Sequence, residues 1–320
     1  MAKFRRWFWS GGISLLLLAR FLVPLTGQEP EEENRPVAAE IVKSSPVVTS
    51  PLQVFFLDVG QGDGAILITP NKKVLVIDAG PQDEEFDAGE EIVKPFLIKL
   101  GVKKIDCLIM SHAHRDHIGG VMALLDSFVV DKVYDPGFPY PSPVYEETLR
   151  KINSRNIKYI IPVIGQTIDI DPLVKMRFLW PEKPFIRDDP NNNSLVLKIT
   201  YGKVSFLFTG DIEEPAETEL ATKFRGALRA QILKCPHHGS KTSSTDNFLD
   251  AVRPEIVVIS CGRNNRYGHP HQSVLARYDD FMVKILRTDE DGTILITTSG
   301  SGYQIKKLGI SSAPGDNQAF

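Results

Sequence analysis

The chain has 320 residues, 42% of them apolar and 24% charged, the balance of a globular protein long enough to bury a sizeable core. A formal net charge of −3 excludes a global basic footprint for nucleic acid, so any polyanion site has to be local. Three widely spaced cysteines, Cys107, Cys235 and Cys261, exclude a disulfide framework and a cysteine zinc knuckle.

The first residues are of a different kind. Lys3, Arg5 and Arg6 precede Trp7, Phe8 and Trp9, and the apolar stretch from Ile13 to Leu25 is broken only by Arg20. Residues 1–27 therefore read as an export signal, with an N-terminal membrane anchor as the alternative. The stretch is short and interrupted for a permanent span. Residues 28–51 are acidic and proline-bearing, a linker by composition. The expected location is accordingly periplasmic or extracellular, or at the membrane through the N-terminus.

From Gln53 the pattern is strand, turn, strand, with short β-rich runs at 54–58, 65–69 and 73–78 that predict an antiparallel meander. Gly60, Gly62 and Gly64 lead into a strand and not a helix, which excludes a dinucleotide-binding loop. A helix over 91–100, a strand over 105–110 and a helix opening at Gly119-Gly120 and running to Asp126 follow. Alternating elements then continue: strand 132–134, helix 145–154, and strands 158–161 and 175–180. After the polar loop 188–193 the second half repeats the first, with paired strands at 194–200 and 203–209, helix 215–223, strand 231–234, helix 245–252 and strand 255–260. Late strands at 283–287, 293–298 and 303–307 close a single α+β domain over 52–308, two sheets with helices outside; 309–320 is a polar tail.

The chemistry concentrates at residues 111–120, Ser-His-Ala-His-Arg-Asp-His-Ile-Gly-Gly. His112, His114, Asp116 and His117 place three imidazoles and a carboxylate within six residues after a buried strand, donors that suit zinc and its first-row neighbours. The other four of the seven histidines also fall in pairs, His237-His238 and His269/His271, which scattered structural histidines would not do. Asp211 ends an apolar strand and becomes a candidate bridging ligand beside that turn, although a helix cap is the plainer role for such a residue. His238 is the candidate ligand of its pair and His237 a substrate contact, a choice that residue order alone leaves open. Lys241, Arg263 and Arg266 supply positive charge for a substrate, and His269 is a candidate acid, phosphate contact or spare ligand. Asp58, Asp63 and Asp78 stand at strand ends, where carboxylates can orient metal-bound imidazoles.

Taken together, Phe-Leu-Asp-Val-Gly-Gln-Gly-Asp (56–63), Ile-Asp-Ala-Gly (77–80), the 111–120 turn, Asn-Asn-Asn-Ser (191–194), Phe-Thr-Gly-Asp (208–211), His-His-Gly-Ser (237–240) and Tyr-Gly-His-Pro-His (267–271) resemble the metallo-β-lactamase-like domain of ComEC-type DNA-uptake proteins. The resemblance implies an αββα sandwich of two mixed sheets flanked by helices, with a site for two divalent metal ions, usually zinc, and manganese as the alternative. It assigns His112 and His114 to one metal, Asp116 and His117 to the other, Asp211 to both, and His238 or His237 to the second. A further histidine of the wider superfamily, expected shortly before the Asp211 strand, is absent; Asn192 and Asn193 stand there. Asn, water or His269 are the expected substitutes. Uptake channels also carry many membrane spans, whereas this sequence has at most one such stretch, so the hydrolase domain and not the channel is expected.

The resemblance thus implies a metal-dependent phosphodiesterase or nuclease acting on DNA, with Asp116 or Asp211 orienting the attacking water. Competence-machinery partners are implied with it. The alternatives are a β-lactam or other amide or ester hydrolase, and a non-catalytic partner-binding module of a competence or envelope assembly.

Overall fold

A computed structural model describes residues 50–186 and 189–309. The expected export or anchor segment, nearly all of the linker, and the tail from 310 lie outside the described residues. Among the described residues no helix is long and apolar enough to cross a membrane.

Two sheets face each other. The first has eight strands in the order Tyr303–Lys307, Ile294–Thr298, Leu52–Phe56, Gly64–Ile68, Val74–Ala79, Cys107–Ile109, Lys132–Tyr134 and Lys158–Ile160. The second has six, in the order Lys284–Arg287, Ile256–Ile259, Ile232–Lys234, Val204–Phe208, Val196–Tyr201 and Val174–Trp180. Each sheet is mixed. In the first, pairing is antiparallel up to Val74–Ala79 and parallel from there on, as in Leu75↔Cys107. In the second, Val196–Tyr201 pairs antiparallel on both sides, and everything beyond Val204–Phe208 is parallel, as in Phe206↔Ile232. The two halves therefore repeat one plan, an antiparallel hairpin followed by parallel strands reached through helices.

Side chains alternate across each strand, and in central strands such as Gly64–Ile68, Val74–Ala79 and Val204–Phe208 both faces are buried, so these read as nearly continuous apolar runs. Val54, Phe56, Leu67 and Leu75 point between the sheets, where they meet Phe178, Leu197, Phe206 and Phe208. Phe56 stacks on Phe208 with ring centroids 5.5 Å apart. The opposite face, with Phe55, Leu57, Ile66 and Val76, packs under Leu97, Leu124 and Ile152 of the helices. Leu207, Leu233 and Val257 likewise pack under Leu220, Phe248 and Tyr278 on the far side. Each large side chain fully buried this way contributes about 1.5–3 kcal/mol, and the result is the four-layer αββα sandwich.

Two local differences from the sequence reading concern helices. The helix expected over 91–100 begins as a wide π turn, Gly89–Val93, before the α-helix Lys94–Lys99. A helix at Gln272–Asp280 was not expected, because only Val274 and Tyr278 of its face are buried and the apolar period is too sparse to show.

Candidate metal centre

The ligand-bearing segments all leave sheet strands at one edge. Ser111 N–H donates to Asp78 Oδ1 at 2.7 Å, which pins the chain as it leaves strand Cys107–Ile109. His114 is extended and precedes a single helical turn, Arg115–Ile118. His112 and His114 therefore share one side of an extended segment, whereas Asp116 and His117 sit in the turn itself. Gly119 and Gly120 let this turn press on residues 79–89: a Cβ on Gly120 would lie 2.3 Å from the Ala79 carbonyl oxygen and 2.4 Å from Gly89 N. Asp78 adopts a left-handed conformation (φ +57°), which Asp tolerates better than most residues.

The imidazoles are aimed by bonds to their other nitrogens. His117 Nδ1 lies 2.8 Å from Asp78 Oδ2, and His238 Nδ1 lies 2.9 Å from the Ser260 carbonyl oxygen. Both therefore carry the proton on Nδ1 and turn Nε2 towards the same point. His112 Nδ1 approaches Ser111 Oγ at 3.2 Å, and its Nε2 lies 3.0 Å from His114 Nδ1. Asp211 stands at the centre, with Oδ2 at 3.1 Å from His117 Nε2, 3.3 Å from His238 Nε2, 3.9 Å from His237 Nε2 and 4.0 Å from His112 Nε2. Asp116 Oδ2 is 3.3 Å from His238 Nε2.

These atoms fit a cation. His117 Nε2, His238 Nε2 and Asp211 Oδ1 are buried without a hydrogen bond, a costly state for polar atoms unless something else engages them. Two donors about 2.0–2.2 Å from a tetrahedral ion stand roughly 3.3–3.6 Å apart, close to the spacings among Asp116, His117, Asp211 and His238. One ligand atom from each of these four lies within 4.8 Å of the others.

The electrostatics agree. Burial alone would push the Asp211 and Asp116 carboxyls up, but the facing imidazoles outweigh it and hold both below the usual carboxylate range. Burial lowers His117 and His238, yet Asp211 with Asp78 or Asp63 raises both well above the ordinary imidazole value. His112 and His114 go the other way: burial, with the neighbouring imidazoles, keeps them neutral. A cation entering here displaces protons from His117 and His238.

The remaining candidates divide. Asp63 carries its load through Lys234, whose buried ammonium pairs with Asp63 Oδ2 while Oδ1 stands 3.3 Å from His238 Nδ1. Asp58 stands apart; its carboxylate faces the Gly60 N–H and Arg263, and no bond to an imidazole is found among the described residues. Lys241, Arg263 and Arg266 are exposed on the loops beside the centre, with Arg263 held to the Asp289 carbonyl and Arg266 lying over the Tyr267 ring. The His269 ring is 5.7 Å from that of His237 and 6.3 Å from that of His238. Burial and those imidazoles lower it to about 4, which favours the neutral ring near pH 7.

Asn192 and Asn193 do not replace the missing histidine. Asn192 Oδ1 accepts from the Glu213 and Ala216 N–H groups, and Asn193 is consumed by the backbone of Ile186 and Asp189. Both cap and brace; neither faces the ligands. Lys234 and Glu213 were not singled out from the sequence. A lysine on a buried strand was the one available signal for Lys234, and Glu213, two residues past Asp211, reads simply as a helix start.

Residues 64–263 match the model of the metallo-beta-lactamase superfamily. ComE operon protein 3 of Bacillus subtilis is 35% identical over 264 residues, 78% of this chain and 33% of that protein. Competence protein ComA of Neisseria gonorrhoeae is 32% identical over 251 residues, 78% of this chain and 33% of that one. Recombination protein 2 of Haemophilus influenzae is 30% identical over 262 residues, 82% and 31%. The chain thus spans about a third of the length of these relatives. Fold, ligand cluster and family match agree: the chain belongs to the metallo-beta-lactamase superfamily.

Proposed function

We propose that this chain is a two-metal phosphodiesterase that cleaves DNA. The observation behind it is the cluster of Asp116, His117, Asp211 and His238, with His112 and His114 alongside, together with the exposed cationic residues Lys241, Arg263 and Arg266 on loops next to the 237–240 and 267–271 segments. Divalent cations held by these groups supply Lewis acidity, acidifying a water and offsetting charge on the phosphoryl group. Asp116 and Asp211, both ionised and facing the same point, would orient that water. The three cationic side chains draw the polyanion to the rim and steady its phosphates. His269, neutral and half-buried, offers a hydrogen bond at the same rim.

The relatives named for competence support partners in a DNA-uptake assembly. The N-terminal segment supports work outside the cytoplasm; fractionation of expressing cells tests this, and purely cytoplasmic protein would refute it. For the chemistry, the full chain is assayed with added Mn²⁺ or Zn²⁺ on single-stranded DNA, double-stranded DNA, bis-p-nitrophenyl phosphate and nitrocefin. Phosphodiester cleavage that Asp211→Ala abolishes is expected. Turnover of nitrocefin alone would replace this reading with lactam hydrolysis, and no turnover of any substrate would favour a binding module.

A further inference from the structure

We infer that His237 is the third imidazole of the first cation site, oriented by Glu213, and so takes the place of the histidine missing ahead of Asp211. The inference rests on the two-cation reading above and assigns His237 to the metal and not to the substrate.

Four imidazole Nε2 atoms surround Asp211 Oδ2, and they fall into two sets. His117 and His238 lie at 3.1 and 3.3 Å, with Asp116 joining them through His238. His237 and His112 lie at 3.9 and 4.0 Å, and His112 brings His114, whose Nδ1 is 3.0 Å away. The first set is compact, with one ligand atom from each of Asp116, His117, Asp211 and His238 within 4.8 Å of the others. The second is more open, joined through Asp211 Oδ2 and the His112–His114 contact, and its three imidazoles with that oxygen would complete one four-coordinate ion. Without His237 the second set has only two protein donors besides Asp211.

The orientation of His237 fits a ligand. Its Nδ1 lies 2.8 Å from Glu213 Oε1, so the neutral ring carries its proton there. Nε2 then presents a bare lone pair, which can hold a cation and cannot donate to a phosphate oxygen. Glu213 is itself fixed: Thr242 Oγ1 donates to Oε1 at 2.8 Å, and the Glu213 N–H donates to Asn192 Oδ1 at 3.0 Å. The asparagine standing where a histidine was expected therefore braces the carboxylate that aims its substitute. The backbone is turned to suit, since His237, His238 and Gly239 have φ of +46°, +54° and +82°. Two consecutive non-glycine residues in this region cost about 1–2 kcal/mol each, which a merely polar turn would not need. His269, the other candidate, has a partnerless buried Nδ1, but no ion pair or hydrogen bond of it with Asp211 is found among the described residues.

The test counts cations. The full chain is stripped, titrated with Zn²⁺ or Co²⁺ and analysed by elemental mass spectrometry and by Co²⁺ absorption bands, for wild type, His237→Ala, Glu213→Gln and His269→Ala. Wild type and His269→Ala should each bind two ions. His237→Ala should bind one, and Glu213→Gln should bind two with the weaker dissociation constant raised about 10–100-fold. A folded His237→Ala that keeps two ions at wild-type affinity would overturn the inference whatever its activity, as would an unchanged Glu213→Gln. A wild type that binds one ion or none would instead bring down the two-cation reading, and this inference with it.

Discussion

Asp78→Asn tests how the centre is aimed. Asp78 accepts from Ser111 N–H through Oδ1 at 2.7 Å and from His117 Nδ1 through Oδ2 at 2.8 Å. Asn has the same shape, tolerates φ +57° and can keep the Ser111 bond with its carbonyl oxygen. Its amide then points N–H groups at His117 Nδ1. Flipping the amide would only set two donors against each other at Ser111. The imidazole is driven to protonate Nε2, the atom 3.1 Å from Asp211 that has to face the cation. Loss of such an orienting carboxylate costs about 10–100-fold in metal affinity, equivalent to roughly 1.4–2.7 kcal/mol. Competition against a chromophoric chelator measures it, with circular dichroism confirming the fold. A folded variant whose affinity stays within threefold of wild type would refute the tautomer argument.

Three further outcomes follow from the same geometry. A Cβ at residue 62 would lie 2.2 Å from the Asp116 carbonyl oxygen, so Gly62→Ala should displace the ligand turn and lower metal content per folded chain; wild-type content and melting temperature together would contradict this. Lys234→Met strands the buried Asp63 charge and should cost about 3–5 kcal/mol in urea unfolding, whereas a loss under 1 kcal/mol would show that the pair is dispensable. Glu217 accepts from Ser244 and Thr245 N–H groups, and burial raises its carboxyl from 4.5 to about 7. The folded state thus holds a proton that the unfolded chain has released, and stability falls as pH rises from about 4.5 to 7. At about 1.4 kcal/mol per pH unit the decline is at most about 3.5 kcal/mol. Metal-free Glu217→Gln should lack this decline; parallel stability profiles for wild type and variant would refute it.

Much of the architecture was legible because its signals are local. Runs such as Leu52–Phe56 and Val204–Phe208 are apolar on both faces, as strands between a core and a helix layer must be, and turns such as Gly119-Gly120 mark where they end. Histidine spacing within 112–117 pointed to a ligand turn for the same reason: one strand exit carries all four groups. What stayed hidden depends on pairs distant in sequence. Lys234 meets Asp63 across 171 positions, and nothing near either residue announces it. Glu213 is adjacent to a candidate ligand, yet its role emerges only when the 237–242 loop folds back onto it. Asp58 shows the converse, a strand-end aspartate with the right local setting whose carboxylate meets the Gly60 N–H and the charge of Arg263 and has no bond to an imidazole among the described residues. Asn192 and Asn193 occupied the right segment, but their side chains are spent on backbone groups.

In the proposed reaction this edge of the sandwich holds the metal that supports phosphodiester cleavage. Its most direct measurement is DNA cleavage by the stripped full chain as Mn²⁺ or Zn²⁺ is titrated in, with bound metal counted in the same samples. The account predicts that cleavage rises from zero and saturates as the chain fills with two ions. Cleavage that persists in the stripped protein, or a fully loaded chain that leaves DNA intact, would contradict it.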